Sequence, residues 1–246
     1  MFPAIRNHPF AVEASFDCSL VVTFAVAIEE VRSLIPECLE PDTFQDRYSF
    51  IAIAMVQTKD LRPKGFPKFW GSDFFLIGYR VFVRYTTATG KRLRGLYILK
   101  SETNRKRMEF FGNIFTRYKY TTTDIQYTQH SNQLSVASSR ASFNLHAEVA
   151  DETAPLPAGS PFKDWKEARR FEGPLPFTFS FIPKSRSVLI VEGVRQNWIP
   201  SPVKVFDYNF GFLDSLHLKN PILANAFIVR DIPYYWKKGK IERWKG

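Results

Sequence analysis

Basic side chains on predicted strands are the first candidates for chemistry in this sequence. Arg80 lies on the even-numbered side of a strand predicted over residues 74–85, the side that also carries Leu76 and Phe82. The odd-numbered side is wholly apolar, so we expect it to face packed core and Arg80 to lie on the opposite face. Because arginine binds carboxylates with paired hydrogen bonds, a cavity with Arg80 at its wall is predicted to hold a small organic anion. The alternatives are that Arg80 pairs with a carboxylate such as Glu148, or reaches solvent.

A second group of candidate ligand-binding residues lies further along the chain. Strand parity places Phe115, Arg117 and Lys119 on one face. If Phe115 points into a cavity, the side chains of Arg117 and Lys119 point into the same cavity. Together with Arg80, Leu76 and Phe82, these three residues complete the predicted ligand site, and no catalytic residue is predicted.

Other chemistry has weaker signals. The four histidines show no paired ligand spacing such as HxH or HExxH, so no metal site is predicted, and the absence of a P-loop or dinucleotide motif predicts no cofactor. His146 and Glu148 share a strand face, either as a polar pair in a cavity or as the solvated side of a sheet. Cys18 and Cys38 are expected to be buried, reduced thiols, although spacing alone leaves pairing open.

Composition bounds the class of protein. Aromatic residues make up 16% of the 246 residues and apolar residues 45%, which excludes a disordered chain. Two cysteines exclude a disulfide scaffold. The longest apolar run, near residues 20–28, is far shorter than a bilayer demands, so no membrane span is predicted. The first ten residues lack an apolar stretch, so we expect no signal peptide and a cytoplasmic location.

The net charge of +10 suggests an anionic partner. Basic residues crowd the C-terminal tail at Lys237, Lys238, Lys240, Arg243 and Lys245. No zinc finger, RRM signature or KH loop accompanies them, so a solvated basic surface is the default interpretation. Binding of nucleic acid or an anionic surface through the basic exterior and this tail is the alternative function.

The elements that must position these residues are mainly β. Alternation and turn signals predict strands over residues 49–56, 74–85, 93–100, 125–129, 134–149, 177–182, 188–194 and 203–208. Short helices are predicted over residues 28–38, 102–111 and 162–170, and a surface loop over residues 150–161. The strands after this loop are too few to close a core alone, which favours one domain over residues 1–246.

Several stretches in order resemble one family. They are LIPECLEPDTF (34–44), LIGYRVFV (76–83), RGLYILKSE (94–102), GNIFTRYKY (112–120) and FIVRDIPYYW (227–236). Together they resemble the YqjF-like group of uncharacterised proteins in the acetoacetate-decarboxylase-like superfamily. The resemblance implies a mainly β (α+β) fold: an antiparallel β-barrel with flanking strands, a few short helices and a ligand cavity inside.

The resemblance also implies which chemistry is missing. Acetoacetate decarboxylases form a Schiff base on a lysine whose pKa is lowered by an adjacent lysine, in a Gly-Phe-Pro-Lys-Lys pattern. Here the matching stretch begins at Gly112, and Phe115 and Thr116 stand at the lysine positions. A carboxylate usual in the family aligns with Leu76. The sequence therefore predicts a protein that binds a small anionic or aromatic molecule without Schiff-base decarboxylation, and leaves open another enzymatic activity, a homo-oligomer, or an interaction module with no ligand.

Overall fold

The structure of the protein, a computed structural model, describes residues 5–151 and 153–246. Two predictions fall partly outside this range. The expected absence of a signal peptide rests on the first ten residues, of which residues 1–4 lie outside the described residues. The loop predicted over 150–161 includes residue 152, which also lies outside them. Within residues 5–151 and 153–246, no helix combines the length and apolar character that crossing a membrane requires.

Strands dominate the fold, and helices are few and short. The strands are β1 (Val12–Ala27), β2 (Glu40–Pro41), β3 (Tyr48–Pro63), β4 (Ser72–Thr86), β5 (Arg92–Thr103), β6 (Tyr120–Thr122), β7 (Gln126–His130), β8 (Gln133–Ser138), β9 (Phe143–Val149), β10 (Phe177–Ile182), β11 (Ser187–Arg195), β12 (Ser201–Phe210), β13 (Ile222–Trp236) and β14 (Lys240–Arg243). The helices are α1 (Ile28–Leu34), α2 (Lys106–Phe115), α3 (Trp165–Glu172) and α4 (Gly211–Asp214). The protein is therefore mainly β, as the sequence predicts.

Seven strands pair in a closed ring. Their order is β11-β10-β5-β4-β3-β1-β13, and β13 returns to β11 through the pairs Gly193–Trp236, Val194–Tyr235 and Arg195–Tyr234. All these pairings are antiparallel except β10 with β5, which is parallel. The expectation of a wholly antiparallel arrangement is wrong at this pair, because β10 enters the ring only after a long excursion through β6–β9 and α3.

The long strands of the ring are buried on both faces. The odd-numbered side of β4, including Ile77, Tyr79 and Val81, belongs to a core that also contains Val136 and Leu145 of β8 and β9. The even-numbered side faces the interior of the ring, where a second apolar cluster lies against α3. The face of β4 predicted to be packed core is thus the outer face of the ring, and Arg80 lies on the inner one.

The predicted strand over 134–149 is two strands. β8 and β9 form a hairpin, with Ser142 in the left-handed region at φ 49°. The turn changes the parity of the buried side chains: Leu134 and Val136 are buried in β8, and Phe143 and Leu145 in β9. Ala137 therefore pairs with Asn144 and lies on the face opposite to that of Phe143.

Two predicted helices have shifted boundaries. The helix expected over 102–111 begins at Lys106, because residues 101–103 pair with both β4 and β6 as the end of β5. The helix expected over 28–38 ends at Leu34. Ile35, which precedes Pro36, is extended at φ −112° and ψ 151°, as the residue before a proline favours.

Candidate functional site

Arg80 lies on the inner face of the ring. Its Cα partners are Ala52 on β3 and Ile98 on β5. The guanidinium folds back along its own strand across Gly78, where an added Cβ would lie 3.1 Å from Arg80 Nε. Glycine at position 78 therefore leaves the space that the flat guanidinium occupies.

The charged surroundings of Arg80 contain tyrosines and a second arginine. The groups that act on it electrostatically are Tyr234, Tyr120, Arg195 and Tyr118, and none of these is a carboxylate. The Nε of Arg80 is buried and has no hydrogen-bond partner. Within the described part of the chain Arg80 forms no ion pair. The proposed alternative partner, Glu148, belongs to β9, which pairs with β8 and β12 outside the ring.

Burial shifts the pKa values of the arginines and tyrosines around Arg80. It is the main reason that the pKa values of Arg80 and Arg195 lie below the usual range for arginine, and both remain cations because arginine loses its proton only at very high pH. Burial also raises the pKa values of Tyr118, Tyr120 and Tyr234, so these phenols stay protonated. The interior thus holds two positive charges and several hydroxyl donors. Both arginine side chains are partly exposed, and the Nε of Arg80 is buried. A cation largely withdrawn from water without a counter-ion is costly, and an anion that joins it offsets that cost.

Local structure fixes Tyr120 in this site. The Asn113 side chain donates to the Tyr120 carbonyl at 2.8 Å and accepts from its backbone N–H at 2.9 Å. Gly112 lies under the ring, and an added Cβ would come within 2.4 Å of Tyr120 Cδ2. The last two turns of α2 therefore set the position of Tyr120.

Tyr234 and Arg195 are held where β13 meets β11. The Tyr234 ring stacks on Phe16, with centroids 4.9 Å apart. Its hydroxyl lies over Gly193, where a Cβ would be only 1.8 Å away. Arg195 donates to the Leu175 carbonyl at 2.8 Å, and its guanidinium lies 4.5 Å from the Trp198 ring centroid.

The other end of the interior is apolar. Phenylalanine rings from β3, β4, α3 and the loops fill it, with centroid separations of 4.9–6.5 Å within the set Phe44, Phe50, Phe82, Phe162 and Phe171. This end accounts for much of the aromatic excess as core packing.

The structure brings together half of the predicted ligand residues. Arg80, Leu76 and Phe82 lie on the inner side of β4, and the last two contact the apolar cluster of the interior. The strand-parity expectation for the other three is wrong, because Phe115 is the last residue of α2 rather than part of a strand.

Phe115, Arg117 and Lys119 lie apart from Arg80. The Phe115 ring contacts Phe10 at 5.2 Å, and Arg117 Nε donates to Asn7 at 3.1 Å. Lys119 is exposed, with φ 55°. The side chains that this segment buries instead are Tyr118 and Tyr120.

A buried carboxyl lies on the same inner face. Glu172 at the end of α3 accepts from Thr23 Oγ1 at 3.3 Å, and its other oxygen has no partner. Burial raises the pKa of Glu172 to about 8, although the hydrogen bonds from Asn225 and Thr23 lower it. Glu172 and Asn225 line a narrow cleft whose walls include Trp165 and Trp198. The register places Ala52 between Thr23 and Arg80, so the Cα atoms of those two residues are about 10 Å apart.

The remaining candidates have ordinary surroundings. His146 is exposed, as expected for the solvated side of a sheet. Cys18 and Cys38 are free and buried, as the sequence predicts. In the basic tail, Lys237 pairs with Glu192 at 2.9 Å. The described residues contain no group of three or more metal-ligating side chains.

Comparison with known proteins places this geometry in a family. The model of DUF2071, described as an uncharacterized conserved protein, matches residues 13–229. No protein of the curated collection matches the chain.

Solved structures match over nearly the whole chain. Acetoacetate decarboxylase from Legionella pneumophila is 12% identical with TM-score 0.60, covering 98% of this chain and 92% of its own. The enduracididine biosynthesis enzyme MppR, complexed with a condensation product of pyruvate and imidazole 4-carboxaldehyde, is 10% identical with TM-score 0.61, covering 95% and 89%. An acetoacetate decarboxylase-like enzyme from Sphingomonas wittichii RW1 is 10% identical with TM-score 0.58, covering 100% and 98%. At these identities the likeness shows a shared fold.

Proposed function

Because the chain belongs to the DUF2071 family and has the acetoacetate decarboxylase-like fold, we propose that its ring of strands is a barrel that binds a small organic anion. The barrel and the elements around it form one domain over residues 1–246. The observation that carries this proposal is the buried Nε of Arg80, which has no hydrogen-bond partner, while the strongest electrostatic influences on this guanidinium come from tyrosines and Arg195 rather than from a carboxylate.

The residues around Arg80 suit a carboxylate ligand. The Arg80 guanidinium supplies charge-assisted hydrogen bonds, and the neighbouring tyrosine hydroxyls supply further donors. Leu76, Phe82 and Phe16 give the organic part of the ligand an apolar wall. A 2-oxo or 3-oxo acid has this combination of a carboxylate and a short carbon chain. The relative MppR, solved with a condensation product of pyruvate, supports 2-oxo acids as the first probes.

The proposed chemistry excludes an imine. The alignment implied by the resemblance to acetoacetate decarboxylases puts Phe115 and Thr116 at the two lysine positions of those enzymes, and neither side chain has an amine. Borohydride reduction in the presence of acetoacetate should therefore leave the protein mass unchanged. A stable adduct on Lys119, or on Lys100, which pairs with Glu102 at 2.6 Å, would show a relocated nucleophile and overturn this part of the proposal.

The binding site is tested by calorimetric titration of the full chain with pyruvate and acetoacetate, using acetone as an uncharged control ligand. The acids should bind and acetone should not. Arg80→Met should weaken acid binding by about tenfold or more, because it removes one charged hydrogen-bonding partner.

Lys119→Gln is the matched charge control for that titration. Lys119 is exposed, so its loss should leave binding unchanged. If Lys119→Gln abolishes binding while Arg80→Met retains it, the ligand lies at the face first predicted over 115–119. If both acids fail to bind or bind no better than acetone, the anion-binding proposal is wrong.

A further inference from the structure

Five exposed aromatic side chains lie on the loop before β4 and on α2. We define the aromatic face as Phe66, Phe69, Trp70, Phe110 and Phe111. Phe69 is 83% exposed, Phe110 63% and Trp70 56%. Single exposed apolar residues are common on protein surfaces, but a group of large aromatic rings marks an interaction site.

Backbone and ring contacts bring the two parts of the aromatic face to the same end of the ring of strands. The loop is tied to the N-terminal segment, because the Lys64 N–H donates to the Ala11 carbonyl at 2.9 Å. The adjacent Phe10 contacts Phe115 at 5.2 Å, and Phe115 stacks with Phe111 at 6.2 Å. An unbroken series of contacts therefore runs from the loop to the exposed side of α2.

The start of α2 is anchored at the same place. The Asn104 side chain accepts from the Phe75 backbone N–H at 2.9 Å, and the Asn104 backbone N–H donates to the Phe75 carbonyl at 3.3 Å. Phe75 lies near the beginning of β4, into which the loop leads. Loop and helix are thus both attached near the beginning of β4.

The loop holds its rings outward in a short, stiff turn. A 3₁₀ turn over Lys68–Trp70 follows Pro67, whose ring fixes the backbone φ angle. The rings of Phe66 and Phe69 lie 5.9 and 6.3 Å from that of Trp70. The aromatic side chains pack on one another rather than on the body of the protein.

Unpaired cations surround the aromatic face. Five are exposed and form no ion pair in residues 5–151 and 153–246: Lys64, Lys68, Arg105, Lys106 and Arg107. The nearby carboxylates of Glu13 and Asp73 are engaged by Arg62 and Lys59, at 2.7 and 3.1 Å. The region therefore presents aromatic surface and net positive charge at once.

We propose that the aromatic face binds the surface of an anionic phospholipid bilayer. Aromatic rings favour the boundary between headgroups and acyl chains, and lysine and arginine favour anionic headgroups. Contact between two copies of this face would bring like charges together. Nucleic acid binding uses free ring faces as stacking platforms, whereas Phe110 and Phe111 pack edge to face at 5.2 Å, as do Phe66 and Trp70. This surface is separate from the site around Arg80 and does not depend on the function proposed for it.

The test is co-sedimentation of the full chain with two vesicle preparations, one of pure phosphatidylcholine and one of equimolar phosphatidylcholine and phosphatidylglycerol. The protein should sediment with the anionic vesicles only, and added salt should release it. Phe69→Ala combined with Trp70→Ala should weaken binding by about tenfold or more, because two largely exposed rings leave the interface.

The matched control is Ile199→Ala combined with Phe206→Ala, which removes two other exposed apolar side chains, 77% and 54% exposed. This variant should sediment like the unaltered protein. The proposal is wrong if neither vesicle binds, if both double variants behave alike, or if a single-stranded oligonucleotide binds while vesicles do not. Concentration-dependent dimerisation without lipid that is lost only in the Phe69/Trp70 variant would also overturn it, in favour of a contact between copies.

Discussion

Two pairs of arginines on the ring differ in what surrounds them. Arg84 and Arg94 enclose the fully buried carboxylate of Asp42, with N–O distances of 2.5 and 2.6 Å. Arg80, four residues before Arg84 on the same side of β4, is influenced electrostatically by Arg195 and by tyrosines. The first pair has its counter-ion within the protein and stabilises the fold. The second pair lacks one, so its charge is available to a ligand.

The largest loss of stability is expected for a substitution of Asp42, which tests whether the pair formed by Arg84 and Arg94 is structural. Asp42→Asn removes the only carboxylate between two arginines, and breaking a buried ion pair costs about 3–5 kcal/mol. Arg84 and Arg94 are 27% and 39% exposed at their side chains, so water compensates part of that cost. We expect a loss of about 3 kcal/mol in the free energy of unfolding, measured by urea denaturation.

Asp73→Asn is the control for a solvated pair. Asp73 is 50% exposed and its partner Lys59 39%. This substitution should cost less than about 1 kcal/mol. Equal losses at Asp42 and Asp73 would contradict the structural role assigned to the Asp42 pair.

Glu172 is the opposite case, a buried carboxyl without a cation. Its pKa is raised from 4.5 in the unfolded chain to about 8 in the folded protein, chiefly by burial. The unfolded chain therefore releases this proton first as the pH rises, and stability is greatest below pH 4.5 and lost up to about pH 8. Glu172→Gln keeps the shape without the charge. It should raise the free energy of unfolding clearly at pH 8, where the unfolded chain is ionised at position 172, and much less at pH 5.

The measurement for Glu172 is urea denaturation of both proteins across this pH range. Glu37→Gln, at an exposed carboxyl, should leave the pH profile unchanged. If the unaltered protein and Glu172→Gln lose stability in parallel between pH 5 and pH 8, Glu172 does not titrate as its surroundings indicate.

A substitution of Gly193 tests whether this glycine leaves the space that the Tyr234 side chain occupies in the ligand site. A methyl group at this position would lie 1.8 Å from Tyr234 Oη, so Gly193→Ala forces the Tyr234 ring to move. Overpacking of this kind costs about 1–3 kcal/mol, and we expect about 1–2 kcal/mol with weaker ligand binding. A double-mutant cycle with Tyr234→Ala isolates the cause: the combined variant should lose no more stability than Tyr234→Ala alone. Additive losses would rule out the ring as the source.

The sequence predicts many of the strands from the pattern of apolar and polar residues and from turn signals. The strand predicted over 177–182 coincides with β10, and that over 188–194 lies within β11. Neither β1 nor β13 was predicted as a strand. The second half of β1 is buried on both faces and leads directly into α1, and such an apolar run cannot be told from a buried helix by its periodicity.

The same distinction separates the site residues that the sequence predicts from those that it does not. The position of Arg80 on the face shared with Leu76 and Phe82 follows from local alternation within β4. Tyr234 and Arg195 join the site only because β13 closes onto β11, a pairing that no local pattern reports. Strand parity counted from Phe115 puts Tyr118 and Tyr120 on the opposite face from the predicted site, whereas α2 ends at Phe115 and that parity does not apply.

The smallest stability effect is expected at Arg80 itself, and it decides the comparison. In a structural ion pair, removing one arginine would leave a buried carboxylate uncompensated, as at Asp42. Arg80 forms no ion pair among the described residues, so its removal leaves no buried carboxylate without a partner. Its Nε also has no hydrogen bond that the substitution could remove. Arg80→Met removes a desolvated charge and keeps a side chain that fills similar space along the strand. The free energy of unfolding without ligand should therefore stay within about 1 kcal/mol of the unaltered protein, measured by urea denaturation. Stabilisation by added pyruvate should disappear at the same time, because a ligand stabilises only the state that binds it. A large loss of stability without ligand would make Arg80 a structural residue like Arg84.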